Sequence, residues 1–166
     1  MEENLFRHIN IRKENTHVPS GTPDDLEAYC KEYEQRIQES GGIDLQLLGI
    51  GANGHIGFNE PAEELKARTH LVRLAEETIE ANARFFTSRD EVPEHAITTG
   101  MGTILSSRKI LLLAQGESKA AIIRQLFESD ITTNIPASFL RLHQDVTVLV
   151  DKAAASLVPK HILELK

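Results

Sequence analysis

Residues 44–61 read Asp44-Leu45-Gln46-Leu47-Leu48-Gly49-Ile50-Gly51-Ala52-Asn53-Gly54-His55-Ile56-Gly57-Phe58-Asn59-Glu60-Pro61, and their reading decides the fold. Leu45, Leu47, Leu48 and Ile50 make a short apolar run, the length and content of a strand buried on both faces. Gly49, Gly51 and Gly54 end it, and their backbone freedom allows a sharp turn and a close approach to a ligand. Gly51 and Gly54 are therefore candidate binding positions. His55 and Glu60 come next, flanked by Asn53, Asn59 and Pro61. In an open α/β sheet, ligands bind in the crevice beyond the carboxyl ends of the strands. A strand that runs into glycines, an imidazole and a carboxylate places its chemistry at that edge.

Outward from this stretch, strands and helices alternate. On the N-terminal side, residues 1–9 form a short amphipathic piece with Leu5, Phe6 and Ile9 on one side. Thr22-Pro23-Asp24-Asp25 predicts a helix start, with a threonine cap and proline at the first helical position. Leu26, Tyr29, Tyr33 and Ile37 follow at helical spacing until Gly41-Gly42, and Cys30 beside that stripe reads as buried and inert. On the C-terminal side, residues 62–68 read as exposed, 69–74 as a short strand and 77–86 as a helix. Residues 96–107 read as a helix despite Gly100 and Gly102, which point to close packing against a neighbouring backbone. A strand at 109–114, a helix after Gly116, a short helix up to His143, a strand at 145–151 and a helical tail complete the chain. The pattern predicts one α/β domain over 1–166, Rossmann-like, with a mostly parallel, doubly wound sheet and helices on both faces.

Composition narrows the partners. The 166 residues are 26% charged and 40% hydrophobic with a formal charge of −7, which argues against nucleic acid or an anionic membrane as partner. A phosphorylated small molecule stays open, because two local cations suffice to bind one phosphate. Arg84 reads by spacing as a surface arginine with a buried stem. Lys119 sits at a helix start, where its charge is either screened by solvent or one half of an anion site. A single cysteine forms no internal disulfide and fits a reducing compartment. With no apolar run of membrane-spanning length and no signal peptide at the start, the expected location is cytoplasmic.

Two motif matches fail on context. Gly49-Ile50-Gly51-Ala52-Asn53-Gly54 has the form G-x-G-x-x-G, with Glu76 and Glu77 at the distance of a ribose-binding acid. That fingerprint needs a helix at its third glycine, and Gly57 and Pro61 deny one, so no nicotinamide cofactor is expected. His55 has Glu60 five residues on and no second histidine at helical spacing, so no metal is expected either.

The stretch Gly49 to Pro61 resembles the signature of the glucosamine-6-phosphate deaminases (glucosamine-6-phosphate isomerases). The related 6-phosphogluconolactonases share a Gly-His turn but not the Asn-Glu-Pro that follows it. The resemblance continues through Thr78 to Phe86, Ile97 to Ser107 and Ala153-Ala154-Ala155. It implies conversion of glucosamine 6-phosphate and water to fructose 6-phosphate and ammonia, a step of amino-sugar catabolism, without a cofactor. On this resemblance His55 is the ring-opening base, Glu60 orients it and supports its charged form, and Arg84 and Lys119 clamp the substrate phosphate. Asn53 stands where some members carry aspartate; it can hydrogen-bond His55 but carries no charge, which leaves it an orienting part.

The resemblance covers only the C-terminal two thirds of the family. A Thr-Gly-Gly/Ser-Thr-Pro phosphate loop and an Asp-Glu-Tyr segment, whose aspartate is the C2 proton base, precede the matched region in the family and have no counterpart in this sequence. The expectation is a part of a larger isomerase/deaminase domain, with the first strands missing, a sheet face or edge uncovered and activity impaired. Two further readings are a non-catalytic sugar-phosphate-binding remnant and a 6-phosphogluconolactonase-like hydrolase. His70 and Val72 replace basic residues of members regulated by N-acetylglucosamine 6-phosphate, so that regulation is not implied. Assembly into a homo-oligomer is compatible with the sequence.

Overall fold

The computed structural model describes residues 1–163. In chain order its elements are α1 (Leu26–Glu39), β1 (Leu45–Gly49), β2 (His70–Arg73), α2 (Glu76–Ala83), β3 (His95–Thr98), α3 (Met101–Leu105), β4 (Lys109–Ala114), α4 (Ala120–Glu128), β5 (Val146–Val150) and α5 (Lys160–Leu163). Strands β1, β4 and β5 form a parallel sheet in the order β1-β4-β5, while β2 and β3 pair antiparallel beside it. The α/β class and the mostly parallel sheet agree with the sequence pattern. The helical tail expected from Ala153 is turns up to α5, and residues 164–166 of that expectation lie outside the described residues.

Register sets the core. Leu48 pairs Leu112, which pairs Val148, so the three lie side by side on one face of the sheet. That face packs against Ile104 of α3 and Ile122, Ile123 and Leu126 of α4, with Leu112, Ile104 and Ile123 fully buried. Each such side chain stabilises the fold by roughly 1.5–3 kcal/mol. The opposite face is open: Leu45, Leu47, Leu113 and Leu149 stay 57%, 57%, 38% and 60% exposed. The expectation that β1 is buried on both faces is therefore corrected. Its apolar run is continuous, but only Leu48 and Ile50 meet a covering layer.

Three local readings also change. Helix α1 begins at Leu26 rather than after Thr22, because Asp25 is the residue whose carboxylate accepts the Ala28 N–H at 3.0 Å. Residues 95–98 are a strand, not the start of a helix, since Ile97 and Ala96 find long-range partners in Leu71 and Val72. Gly100 and Gly102 do mark a close approach: a Cβ at Gly100 would lie 2.4 Å from the Arg68 carbonyl oxygen, and one at Gly102 2.9 Å from that of Ala67. The N-terminal piece leaves Leu5 and Ile9 exposed rather than packed. Among the described residues no helix is long and apolar enough to cross a membrane.

Candidate active site

The chain leaves β1 at Gly49 and folds back on itself within six residues. Gly51 N–H donates to the His55 carbonyl at 2.9 Å, and Gly54, at φ +85°, carries the turn. A Cβ on Gly51 would fall 2.2 Å from His55 Cε1 and 2.3 Å from Nδ1, so the imidazole lies flat against a backbone that only glycine leaves bare. Gly54 serves the turn instead of the cleft: a Cβ there would strike Ile135 at 2.9 Å, and Ala137 N–H donates to its carbonyl. The result is a cleft of about 450 Å³ beyond the end of β1, lined by His55, Asn53, Gly51, Glu77, Thr78 and Lys119 among others.

Around His55 the polar atoms form a closed set. Asn53 Oδ1 lies 2.8 Å from His55 Nδ1 and also accepts the His55 backbone N–H at 3.2 Å. Glu60 Oε2 lies 3.3 Å from the same Nδ1 and accepts from Asn53 Nδ2 at 2.8 Å. Both neighbours of Nδ1 are acceptors, which assigns the proton to Nδ1 and leaves Nε2 with a free lone pair. The other Glu60 oxygen, Oε1, accepts from Thr78 Oγ1 at 2.6 Å and from Ala75 N–H at 3.4 Å. Burial raises the Glu60 carboxyl, but hydrogen bonds from His55, Thr78 and Asn53 and the charge of His55 outweigh it and hold it down at about 2. A carboxylate fixed in this way stays charged and supports an imidazolium beside it.

Lys119 reaches the same cleft from the other side. It precedes α4, and its Nζ donates to the Ile50 carbonyl at 2.7 Å, over the end of β1. Burial pulls its ammonium below the usual lysine value. Arg84 is elsewhere: it caps the C-terminal end of α2, exposed, with its guanidinium 4.7 Å from the Phe85 ring centroid and outside the cleft lining. The structure thus gathers His55, Asn53, Gly51 and Lys119 at the cleft with Glu60 behind them, and leaves Arg84 apart. Thr78 carried no signal of its own in the sequence, since it meets Glu60 from 18 residues away. Asn59 secures the loop behind the site through Nδ2 bonds to the Ile56 and Thr99 carbonyls, while its buried Oδ1 has no hydrogen-bond partner. Among the described residues no group of three or more His, Cys, Asp or Glu is placed to hold a metal ion.

The sequence profile of the glucosamine-6-phosphate isomerases/6-phosphogluconolactonase family matches residues 1–149. The chain belongs to that family. It is 54% identical to the glucosamine-6-phosphate deaminase of Thermoanaerobacter sp. (strain X514) over 164 residues, 99% of this chain and 65% of that protein. A solved monomeric glucosamine-6-phosphate deaminase of the NagB superfamily superposes with a TM-score of 0.91 at 54% identity, covering 95% of this chain and 65% of that one. The 6-phosphogluconolactonase of Thermotoga maritima shares the fold alone, with a TM-score of 0.64 at 21% identity over 90% of this chain and 61% of that one. The chain spans about 65% of the length of the curated relatives it matches.

Membership of the glucosamine-6-phosphate isomerases/6-phosphogluconolactonase family bears out the resemblance drawn from residues 49–61. The family's description covers two chemistries, and the fold is common to both.

Proposed function

We propose that this chain carries the ring-opening and phosphate-binding part of a glucosamine-6-phosphate deaminase of amino-sugar catabolism, acting on a cytoplasmic small-molecule substrate. The observation that carries the reading is the placement of His55 Nδ1 between two acceptors, Asn53 Oδ1 at 2.8 Å and Glu60 Oε2 at 3.3 Å. Nε2 of the neutral imidazole takes the proton of the anomeric hydroxyl, the bond from C1 to the ring oxygen breaks, and the ring oxygen receives a proton in return. Glu60 stabilises the imidazolium that exists between those two transfers. Asn53 orients the ring and, being uncharged, takes no proton. Lys119, whose Nζ lies over the end of β1, is the cation placed at the cleft for the substrate phosphate, while Arg84 stands outside it. A proton must then pass between C2 and C1 to give the ketimine that water hydrolyses to ammonia and fructose 6-phosphate.

The test is ammonia release from glucosamine 6-phosphate by the chain, run beside His55→Asn. Release that disappears in the variant supports the reading. Phosphate-dependent binding without release, lost in Lys119→Ala, restricts the chain to a sugar-phosphate-binding module. Release of acid from 6-phosphogluconolactone, with no ammonia from the amino sugar, refutes the deaminase reading in favour of a lactonase.

A further inference from the structure

Glu60 holds His55, and the atoms that hold Glu60 come from a different element. Its Oε2 faces the glycine loop, towards Asn53 and His55, while its Oε1 faces the first turn of α2. There Thr78 Oγ1 donates at 2.6 Å, and the backbone N–H of Ala75 approaches at 3.4 Å. Thr78 is 4% exposed. A threonine inside a helix can turn its hydroxyl to a backbone carbonyl three or four residues back. Thr78 makes no such bond; its hydroxyl goes to a carboxylate 18 residues away in sequence. The bond is charge-assisted, and such bonds are stronger and more directional than neutral ones.

We propose that Thr78 is a positioning residue of the site: its hydroxyl pins Oε1 of Glu60 to α2 and so keeps Oε2 turned towards His55 Nδ1. Without that bond the carboxylate rotates about its last side-chain torsion, a soft twofold rotor. Asn53 Oδ1 still orients the imidazole, but the charge that supports the imidazolium is no longer fixed beside it. Asn82 steadies the same turn by donating from Nδ2 to the Thr78 carbonyl at 2.8 Å. The catalytic consequence rests on the reading of His55 as the ring-opening base; the geometric one does not.

Two measurements test it. In Thr78→Val, which keeps the shape and loses the hydroxyl, carbon-13 NMR follows the Glu60 carboxyl. Its titration midpoint, about 2 in the parent chain, rises by about one pH unit in the variant and returns in Thr78→Ser. In turnover of glucosamine 6-phosphate, kcat falls about tenfold while KM stays within about twofold, because the lost interaction serves the transition state and not ground-state binding. Should Thr78→Val fail to fold, Thr78→Ala gives the same comparison. A Glu60 midpoint that does not move, or a serine variant that behaves like valine, overturns the role assigned to the hydroxyl. A parent chain that binds the sugar phosphate but releases no ammonia limits the proposed function to binding, and the NMR comparison then still decides Thr78.

Discussion

Replacing Glu60 by glutamine removes one charge and changes no shape, so its cost reports on the hydrogen-bonded set alone. Glu60 is 8% exposed, and all its close polar neighbours are donors: Thr78 Oγ1 and the Ala75 N–H on one oxygen, Asn53 Nδ2 and His55 Nδ1 on the other. Glutamine offers one oxygen and one NH₂, which leaves donors facing donors on one side. The magnitude follows from the proton linkage. A carboxyl held at about 2 against an ordinary 4.5 contributes roughly 3 kcal/mol at neutral pH, at about 1.4 kcal/mol per pH unit. The folded value is the lower one, so between the two values the unfolded chain binds more protons. The contribution is therefore complete above about pH 5 and is lost as the pH falls towards 2. Urea unfolding at pH 7, 4 and 3, followed by far-ultraviolet circular dichroism, measures the gap between parent and Glu60→Gln. It should be about 3 kcal/mol at pH 7 and shrink steadily with acid. A gap that does not depend on pH would refute the account of Glu60 as a carboxylate stabilised by its donors.

Three further outcomes follow from the same structure. Gly51→Ala puts a methyl group where the His55 ring now lies, so ammonia release should fall about a hundredfold with little change in the urea midpoint; unchanged turnover would mean the ring has another productive position. Glu34, 8% exposed, accepts from Thr69 N–H, Thr69 Oγ1 and Thr103 Oγ1 at 2.7, 2.6 and 2.7 Å. Burial raises its carboxyl, but those bonds and the Arg68 charge bring it below the ordinary range. Glu34→Ala leaves those buried donors without their acceptor and should lower stability in urea at pH 7, with the gap narrowing in acid. Lys119→Met relieves a half-buried ammonium, so the melting temperature should hold or rise while inorganic phosphate binding, read by calorimetry, is lost; a lower melting temperature counts against a binding role that opposes stability.

Local chemistry made the strand and the loop of this site legible in the sequence. A run of leucines ending in glycines specifies β1 and its turn, and His55, Asn53 and Glu60 lie close enough in sequence to be brought together by that turn alone. What could not be read came from elsewhere in the chain. Thr78 meets Glu60, and Glu34 meets Thr69 and Thr103, through tertiary packing that leaves no spacing to recognise. Residues 95–98 followed the same rule, since pairing with β2 overrode a helical pattern. The start of α1 was misplaced because two adjacent sets of capping residues compete there, and only the geometry at Asp25 decides between them. The open face of the sheet is the reverse case. The apolar run alone reads as covered on both faces, whereas the partial extent of the family resemblance already implied a face left uncovered, as found.

That face has a practical consequence. Leu47 on β1, Leu113 on β4 and Leu149 on β5 are exposed on that face, and the outer edge of β1 pairs with no other strand among the described residues. Free backbone N–H and C=O groups along such an edge invite a further strand, and the leucines next to it favour whatever brings it there. The expected consequence is association that grows with concentration, which sedimentation at rising concentration would read. Dilution and cold, which weakens apolar attraction, should keep molecules apart, whereas sulfate, which strengthens apolar burial, should drive them together.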